Sequence, residues 1–346
     1  MRSQMKIAVC IPTFNQSKYL RIAVRSALEQ SGVETEVWVS DDASTDETPM
    51  VMREFENDPR VRYHRHAKNQ GIAANAGWVM EQPGTPYFVR LDSDDVLKPD
   101  YCRVLSEMLC RHPDSAVAHC AIEEIDEHGK HNHHRRLGRT SVEQTAEAAL
   151  IGATSGYRVA ANICMFRTSA LRQLPYVYRP EMNFAEDWDL FVRLAVAGWN
   201  NVYCSDTLAE YRVWSDAGGY RSGRKASEIR GVLRLFEETL QPEWDRRDWE
   251  TIDLWKARRR LAVTHAKTLA MIPPDTEDYQ EVHGLLEDLA GNREVIESHL
   301  AFTKSTIGRF TESLAQPRRR LRAHAKSVYL RVGKIIPLVQ RGFFRR

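Results

Sequence analysis

The sequence predicts an α/β fold, a mostly parallel sheet flanked by helices, followed by a C-terminal helical region. Three observations predict it. Short apolar runs alternate with amphipathic stretches through the first 125 residues, polar clusters recur where the apolar runs stop, and nearly everything beyond Ala226 carries helical periodicity. Strands alternating with helices of 10–15 residues make parallel βαβ units with helices on both faces of the sheet.

The elements follow in order. Lys6–Ile11 is a short apolar strand. Ser17 then caps a helix whose Leu20, Ala23, Val24, Ala27 and Leu28 recur with a helical period. Glu36–Ser40 is the next strand, a helix runs from about Asp46 to Glu56, and Val61–His64 is the third strand. Gly71–Met80 reads as helix and Tyr87–Leu91 as strand. Tyr101, Val104, Leu105, Met108 and Leu109 form another helical stripe before the strand Ser115–Ala121. Residues 127–140 are polar and rich in His and Arg, a loop or hairpin tip. Beyond it come a helix near Glu143–Ile151, a strand near Asn162–Phe166, a helix from Asp187 to about Ala197, and strands near Val202 and Leu208–Val213. Residues 215–223, with three Gly and two Ser, read as a loop. The later helices break at Pro242, Pro273-Pro274, Gly291 and Pro317, and Trp244, Trp249 and Trp255 read as core. The expected domains are 1–225 (the α/β domain), 226–316 (helical) and 317–346 (a basic amphipathic tail).

Composition bounds the function. The hydrophobic share of 42% and charged share of 28% describe an ordinary folded chain of 346 residues, long enough for about two domains. Six scattered cysteines with no paired spacing point to a reducing compartment, and no apolar run suits a signal peptide or a spanning helix. The expected setting is cytoplasmic. All 47 acidic residues precede Ser313, whereas ten of the 49 Lys and Arg follow it, so a tail with an acidic partner hides behind the net charge of +2.

In parallel α/β sheets ligands bind beyond the carboxyl ends of the strands. Four stretches fall there: Pro12-Thr13-Phe14-Asn15, Asp41-Asp42, Lys68 to Gly71, and Asp92-Ser93-Asp94-Asp95. Three carboxylates in four residues repel one another, and a hard divalent cation that also takes diphosphate oxygens compensates them. A solvated turn before the helix opened by Pro99 fits the same run, with Asp95 or Asp100 as cap. Asp41-Asp42 suits a uracil imide or a sugar hydroxyl, and equally a helix start with Ser44-Thr45-Asp46-Glu47. Asp187 shares the helix face of Leu190, Phe191, Leu194 and Ala195, at an N-terminus whose dipole favours the ionised form. That suits a general base, though acidic residues compensating the dipole look the same.

In order, Ile-Pro-Thr-Phe-Asn-Gln, Asp-Asp-Ala-Ser-Thr-Asp, Asn-Gln-Gly-Ile-Ala-Ala-Asn-Ala-Gly, Asp-Ser-Asp-Asp and Glu-Asp-Trp-Asp-Leu resemble the landmarks of family 2 glycosyltransferases with the GT-A, Rossmann-like fold. The resemblance covers residues 5 to about 215. It implies an inverting transferase that uses a nucleotide-sugar donor, a UDP-sugar, with Mn²⁺ or Mg²⁺. Pro12, Thr13, Phe14 and Asn15 would border the nucleotide, Asp41 the base with Asp42 beside it, and Asn69 and Asn75 would shape the pocket. Asp92 would face the ribose or the metal's water shell, Asp94 would ligate the metal, and Asp187 would be the base with Glu186 at the acceptor. Two departures stand out. Ala74 replaces an Arg common in relatives, and Tyr211-Arg212-Val213-Trp214 lacks the His that many carry there. Arg212 is then the residue left for the diphosphate, and Trp214 either stacks on a sugar or closes the core, with core packing the reading put first.

His128, His131, His133 and His134 invite a zinc reading, but no Cys accompanies them and the stretch is polar, so a solvated loop is the expectation. In the tail, Leu321, Ala325, Val328, Tyr329, Val332, Ile335, Ile336 and Val339 face away from Arg319, Arg320, Arg322, Lys326, Arg331, Lys334 and Arg341. A basic amphipathic helix of this kind fits an anionic membrane surface, with docking on the acidic body as the rival, and nothing points to nucleic acid. A lipid-linked glycan acceptor would explain it. A nucleotidyltransferase would need a Gly-rich basic loop where Pro12 to Asn15 stand, and a sugar-binding scaffold of the same fold would not turn over donor.

Overall fold

The computed structural model describes residues 5–304 apart from 139–141, 156–162, 180, 183, 215–223 and 270–271. The expected loop 215–223, the break at Pro317 and the basic tail 317–346 therefore lie outside the described residues, whereas Pro273-Pro274 separate the helix ending at Leu269 from the one starting at Glu277. The strands are β1 (Lys6–Thr13), β2 (Glu34–Asp41), β3 (Val61–Arg65), β4 (Tyr87–Leu91), β5 (Val96–Leu97), β6 (Ser115–Ile125), β7 (His131–Arg135), β8 (Glu143–Gln144), β9 (Ile163–Arg167) and β10 (Asn200–Arg212). The helices of the α/β part are α1 (Ser17–Leu28), α2 (Thr48–Arg53), α3 (Ile72–Glu81), α4 (Tyr101–Arg111), α5 (Ala146–Ala153), α6 (Thr168–Leu171) and α7 (Glu186–Val196). The later helices are α8 (Lys225–Arg234), α9 (Gln241–Arg246), α10 (Ile252–Leu269), α11 (Glu277–Ala290) and α12 (Arg293–Lys304).

One sheet holds all ten strands, in the order β3-β2-β1-β4-β9-β6-β10-β5, with β7 on β6 and β8 on β10. β3, β2, β1 and β4 run parallel, as do β6 and β10, and β9 enters antiparallel between β4 and β6. The sheet is thus mixed at its centre. β1 and β4 are buried on both faces (Ile7 to Ile11 and Leu91 show no exposure), which is why their sequences lack polar alternation, apart from the single buried Arg90 of β4.

Two of the expected strands prove to be one. β10 spans 13 residues, and its register on β6 shifts between Cys204 and Thr207 and again before Ala209. The polar Ser205-Asp206 looks like a break in the sequence because it sits at that irregularity. Ser17 is the first residue of α1 and caps nothing. Gln16 is the N-cap, and the Ser17 amide donates instead to Asp46 Oδ2 at 2.9 Å. Pro242 does not end a helix either. α8 runs into α9 through a π-helical segment, Leu235–Leu240, whose wider turn relieves the clash a proline ring would make with the carbonyl four residues earlier.

The sheet carries one apolar cluster on each face. A third cluster joins α8 to α12 with Trp188, Val192 and Ala195 of α7 and Leu150 and Ala153 of α5. α7 is therefore a shared wall, for its Leu190 and Leu194 pack on the sheet side. Trp244 lies in the helical core at 3% exposure, but Trp255 does not. It is 44% exposed beneath Arg259, so its expected core role is corrected.

Candidate active site

The ends of β1, β2 and β4 lie side by side, because β1 pairs in parallel with both neighbours. At the end of β1, Pro12 and Thr13 still belong to the strand and are buried, while Phe14 and Asn15 are exposed beyond it. Thr13 Oγ1 is buried with no hydrogen-bond partner among the described residues. Asn15 has a left-handed backbone, φ 52°, fixed by its amide on Ser44 Oγ at 2.9 Å and by its Oδ1 on the Thr45 amide at 2.8 Å.

Most of the polar side chains expected to touch a nucleotide are engaged in hydrogen bonds within the protein at the strand ends. Asp41, fully buried at the end of β2, accepts from the Ser44 amide at 2.8 Å and from the Tyr63 hydroxyl at 2.7 Å, with Arg65 3.3 Å away. Burial and that acceptor push the Tyr63 phenol well above its ordinary value. Asp42 takes the amides of Gln70 and Gly71 at 2.8 and 2.9 Å. This holds the chain entering α3, where Gly71 takes φ 92°, a conformation that side-chain-bearing residues avoid. Asn69 Oδ1 accepts from the Gly71 amide at 3.1 Å. Asn75 is buried and bridges α3 to β2, accepting from Ser40 Oγ at 2.6 Å and donating to the Ser40 carbonyl at 3.0 Å.

Beyond β4, Asp92, Asp94 and Asp95 bring carboxylate oxygens within 4.8 Å of one another. β5 pairs antiparallel with β10, which sets this turn against Arg212. Asp95 Oδ1 accepts the Arg212 amide at 2.8 Å. The Arg212 guanidinium, 5% exposed, donates to the carbonyls of Asp94 and Asp126 at 2.9 and 2.6 Å and lies over the Tyr19 ring. Those partners make Arg212 a brace for the turn. Trp214, expected in the core, is corrected. It is 40% exposed, stands edge-on to Tyr19, and donates its indole N–H to Asp94 Oδ2 at 2.7 Å.

Burial pushes the Asp92 carboxyl up to about 6, against the pull of Arg90 and with the charge of Asp94 adding to the rise. Burial likewise raises Asp94 and Asp95, and for Asp95 the neighbouring aspartates raise it further. A desolvated all-oxygen cluster of this kind fits a hard divalent cation such as Mg²⁺ or Mn²⁺. Asp94 and Asp92 are the residues that would hold it, since Asp95 is 1% exposed and bonded to the backbone of β10.

Arg90 joins this cluster to α7. It is a guanidinium in the middle of an apolar strand, 1% exposed, donating to Asp92 Oδ1 at 3.2 Å and, through Nη1, to Asp187 Oδ1 and to the Tyr178 hydroxyl at 2.7 Å. Tyr178 in turn donates to Asp187 Oδ1 at 2.5 Å. Asp187 is thus oriented from two sides while remaining partly open. Its neighbour Glu186 is 7% exposed, and burial raises that carboxyl to about 7, with the charge of Asp187 adding and Arg90 opposing.

Two residues before α7, Phe184 and Ala185, have left-handed backbones, φ 74° and 63°, which cost on the order of 1–2 kcal/mol each outside glycine. α8 holds that turn in place. A Cβ on Gly231 would come within 2.1 Å of the Phe184 carbonyl oxygen, and Arg224 stacks on the Phe184 ring. Arg90 and Tyr178 were missed from sequence. A lone charge inside Tyr-Phe-Val-Arg-Leu was the available signal, because an unpaired guanidinium cannot be buried cheaply.

Residues 8–174 match the sequence pattern of Glycosyl transferase family 2. The chain is 34% identical over 124 residues to a chondroitin synthase of Escherichia coli, which covers 36% of this chain and 18% of that protein. It is 34% identical over 122 residues to the succinoglycan biosynthesis protein ExoO of Rhizobium meliloti, covering 35% and 33%. The matched stretch thus spans only 18% and 33% of these relatives' lengths. Among solved structures, S. aureus TarS 1-349 with UDP superposes at TM-score 0.53 and 17% identity, covering 86% of this chain and 92% of that one. A mannosyltransferase from Pyrobaculum calidifontis with GDP-Man and Mn²⁺ does so at 0.55 and 15%, covering 90% and 84%. At that identity these two establish the fold, which is GT-A.

Proposed function

Residues 8–174 form a Glycosyl transferase family 2 segment, and from that premise we propose that the protein is an inverting glycosyltransferase. It moves a sugar from a nucleoside-diphosphate sugar, a UDP-sugar, to an acceptor hydroxyl. The observation that carries the proposal is the Arg90 guanidinium, which ties Asp92 of the donor side to Asp187 of the acceptor side. Donor and base are then held in one rigid unit, as a single in-line displacement requires. Polysaccharide relatives support surface polysaccharide, lipopolysaccharide or glycolipid assembly as the setting.

In this mechanism the pocket walled by Thr13, Asp41, Asp42, Asn69 and Asn75 takes the nucleoside, with Phe14 and Asn15 at its lip. Asp94 and Asp92 would hold a divalent cation, which would supply Lewis-acid neutralisation of negative charge on the leaving diphosphate. Asp187, aimed by Arg90 and Tyr178, accepts the proton of the acceptor hydroxyl. Glu186 is a second candidate for that proton, favoured by its carboxyl lying at about 7. The pattern of residues 317–346 supports a position on the inner membrane face beside a lipid-linked acceptor. No helix among the described residues is long and apolar enough to cross a membrane.

The test is nucleoside diphosphate release from a panel of nucleotide sugars with Mn²⁺, with Mg²⁺ and with EDTA, alongside donor binding. Release from one donor that needs metal and disappears in Asp94→Ala supports the proposal. Loss in Asp187→Asn with retention in Glu186→Gln assigns the base to Asp187, and the opposite pattern assigns it to Glu186. No binding or turnover of any nucleotide sugar would leave a non-catalytic scaffold.

A further inference from the structure

We propose that Glu123, His131, His134 and Glu210 form a second metal site, for a borderline first-row divalent cation of the zinc type, apart from the aspartate cluster. The four come from three adjacent strands. Glu210 of β10 lies opposite Glu123 of β6, and Glu123 lies opposite His134 of β7. Glu123 Oε1 is 2.9 Å from His131 Nδ1 and 3.4 Å from His134 Nε2, and His131 Nε2 is 4.0 Å from Glu210 Oε1. Glu123, His131 and Glu210 each offer a ligand atom within 4.8 Å of the others. Four ligands at about 2.0–2.2 Å from a tetrahedral zinc are spaced by roughly 3.3–3.6 Å, so the Glu123 contacts lie near that spacing while Glu210 and His134 must close on the single His131 nitrogen that binds.

The chemistry of the set selects the cation. Two imidazoles and two carboxylates suit zinc, nickel or cobalt, whereas magnesium keeps to oxygen. Two glutamates directly opposite on neighbouring strands repel. Lys98 Nζ reaches Glu123 Oε2 at 3.3 Å, and no described ion pair gives it to Glu210. Lys98 thereby holds the far oxygen and leaves Oε1 turned to the histidines, the outer-shell arrangement that orients a metal-binding carboxylate. A histidine-rich hairpin that the sequence by itself makes a solvated loop is thus brought onto acidic residues it could not be known to meet. Glu210 stands two residues before Arg212, so a cation here would clamp the hairpin to the strand that braces the Asp94 turn.

The experiment uses the full chain carrying Asp94→Ala, titrated with Zn²⁺ by calorimetry and with Co²⁺ by visible absorption. We expect one Zn²⁺ equivalent and the intense bands of four-coordinate Co²⁺. Affinity falls at least about tenfold in Glu123→Gln and in His131→Ala/His134→Ala, holds in His128→Ala/His133→Ala, and Mg²⁺ does not compete. Metal-free melting curves of the variants are compared so that a folding defect is seen separately. Absence of binding, or binding indifferent to His131 and His134, would overturn the site and leave a His–Glu ion-pair cluster only.

Discussion

The indole N–H of Trp214 donates to Asp94 Oδ2 at 2.7 Å, so the carboxylate expected to hold the cation already has a partner from the end of β10. A cation using that oxygen competes with the indole N–H for its lone-pair density. Trp214→Phe removes the donor and keeps the ring. It is expected to lower the Mn²⁺ concentration for half-maximal donor binding by about fivefold, the worth of one hydrogen bond of about 1 kcal/mol. Calorimetric Mn²⁺ titration checks this, and an unchanged midpoint would show that the cation takes the other oxygen.

Arg90 is the second prediction. Its charge serves Asp92, Asp187 and the neighbouring Glu186 at once. Arg90→Met leaves those carboxylates without their buried cation and is expected to destabilise the fold by about 3–5 kcal/mol, read as a fall in the urea midpoint. Arg90→Lys keeps the charge but not the fork. It should recover much of the stability while donor turnover stays impaired, because one ammonium cannot hold both aspartates in place.

Gly231 tests the role of the helical region. Its α-carbon passes so close to the Phe184 carbonyl that Gly231→Ala forces α8 away from the turn before α7. A loss of about 1–3 kcal/mol in stability is expected, with a fall in turnover larger than any change in donor affinity, since Glu186 and Asp187 move while the nucleotide pocket does not. Equal losses in binding and turnover would mean that the damage spreads through the whole domain.

Glu186 links stability to pH. Its carboxyl titrates near 7 in the fold and near 4.3 in the unfolded chain. Between those values the folded state keeps a proton that the unfolded state has released, so this group's contribution is full below about pH 4.3 and is lost as pH rises through about 7. Glu186→Gln should remove that decline and make the protein more stable than its parent at about pH 8, measured as the difference in denaturant midpoints across the window. A parallel decline in both proteins would place the titration elsewhere.

Much of the fold was legible because burial writes itself into local pattern. Tyr87–Leu91 is apolar but for Arg90 and forms β4 with those ends, and the stripe beginning at Tyr101 forms α4. The same logic exposed the acidic turn after β4, since clustered like charges need a reason. What stayed illegible depends on partners far away in the chain. No local feature of Ile163–Arg167 says that it enters the sheet antiparallel between β4 and β6. Nor does Asn75 announce that its amide is consumed by Ser40, 35 residues earlier.

The sequence by itself determined the strand–helix alternation from β1 to β4, the helix α4, the acidic turn, and the carboxylates at the start of α7, because periodicity and charge repulsion act between neighbours. Tertiary structure decided what each polar group does. It turned Asp42 into an anchor for the chain entering α3 and Arg212 into a brace. It set Trp214 on Asp94 and made a buried arginine the link between Asp92 and Asp187. The reason is that a buried charge or amide must find a partner wherever the fold brings one within reach, and that partner is chosen by packing and not by position along the chain.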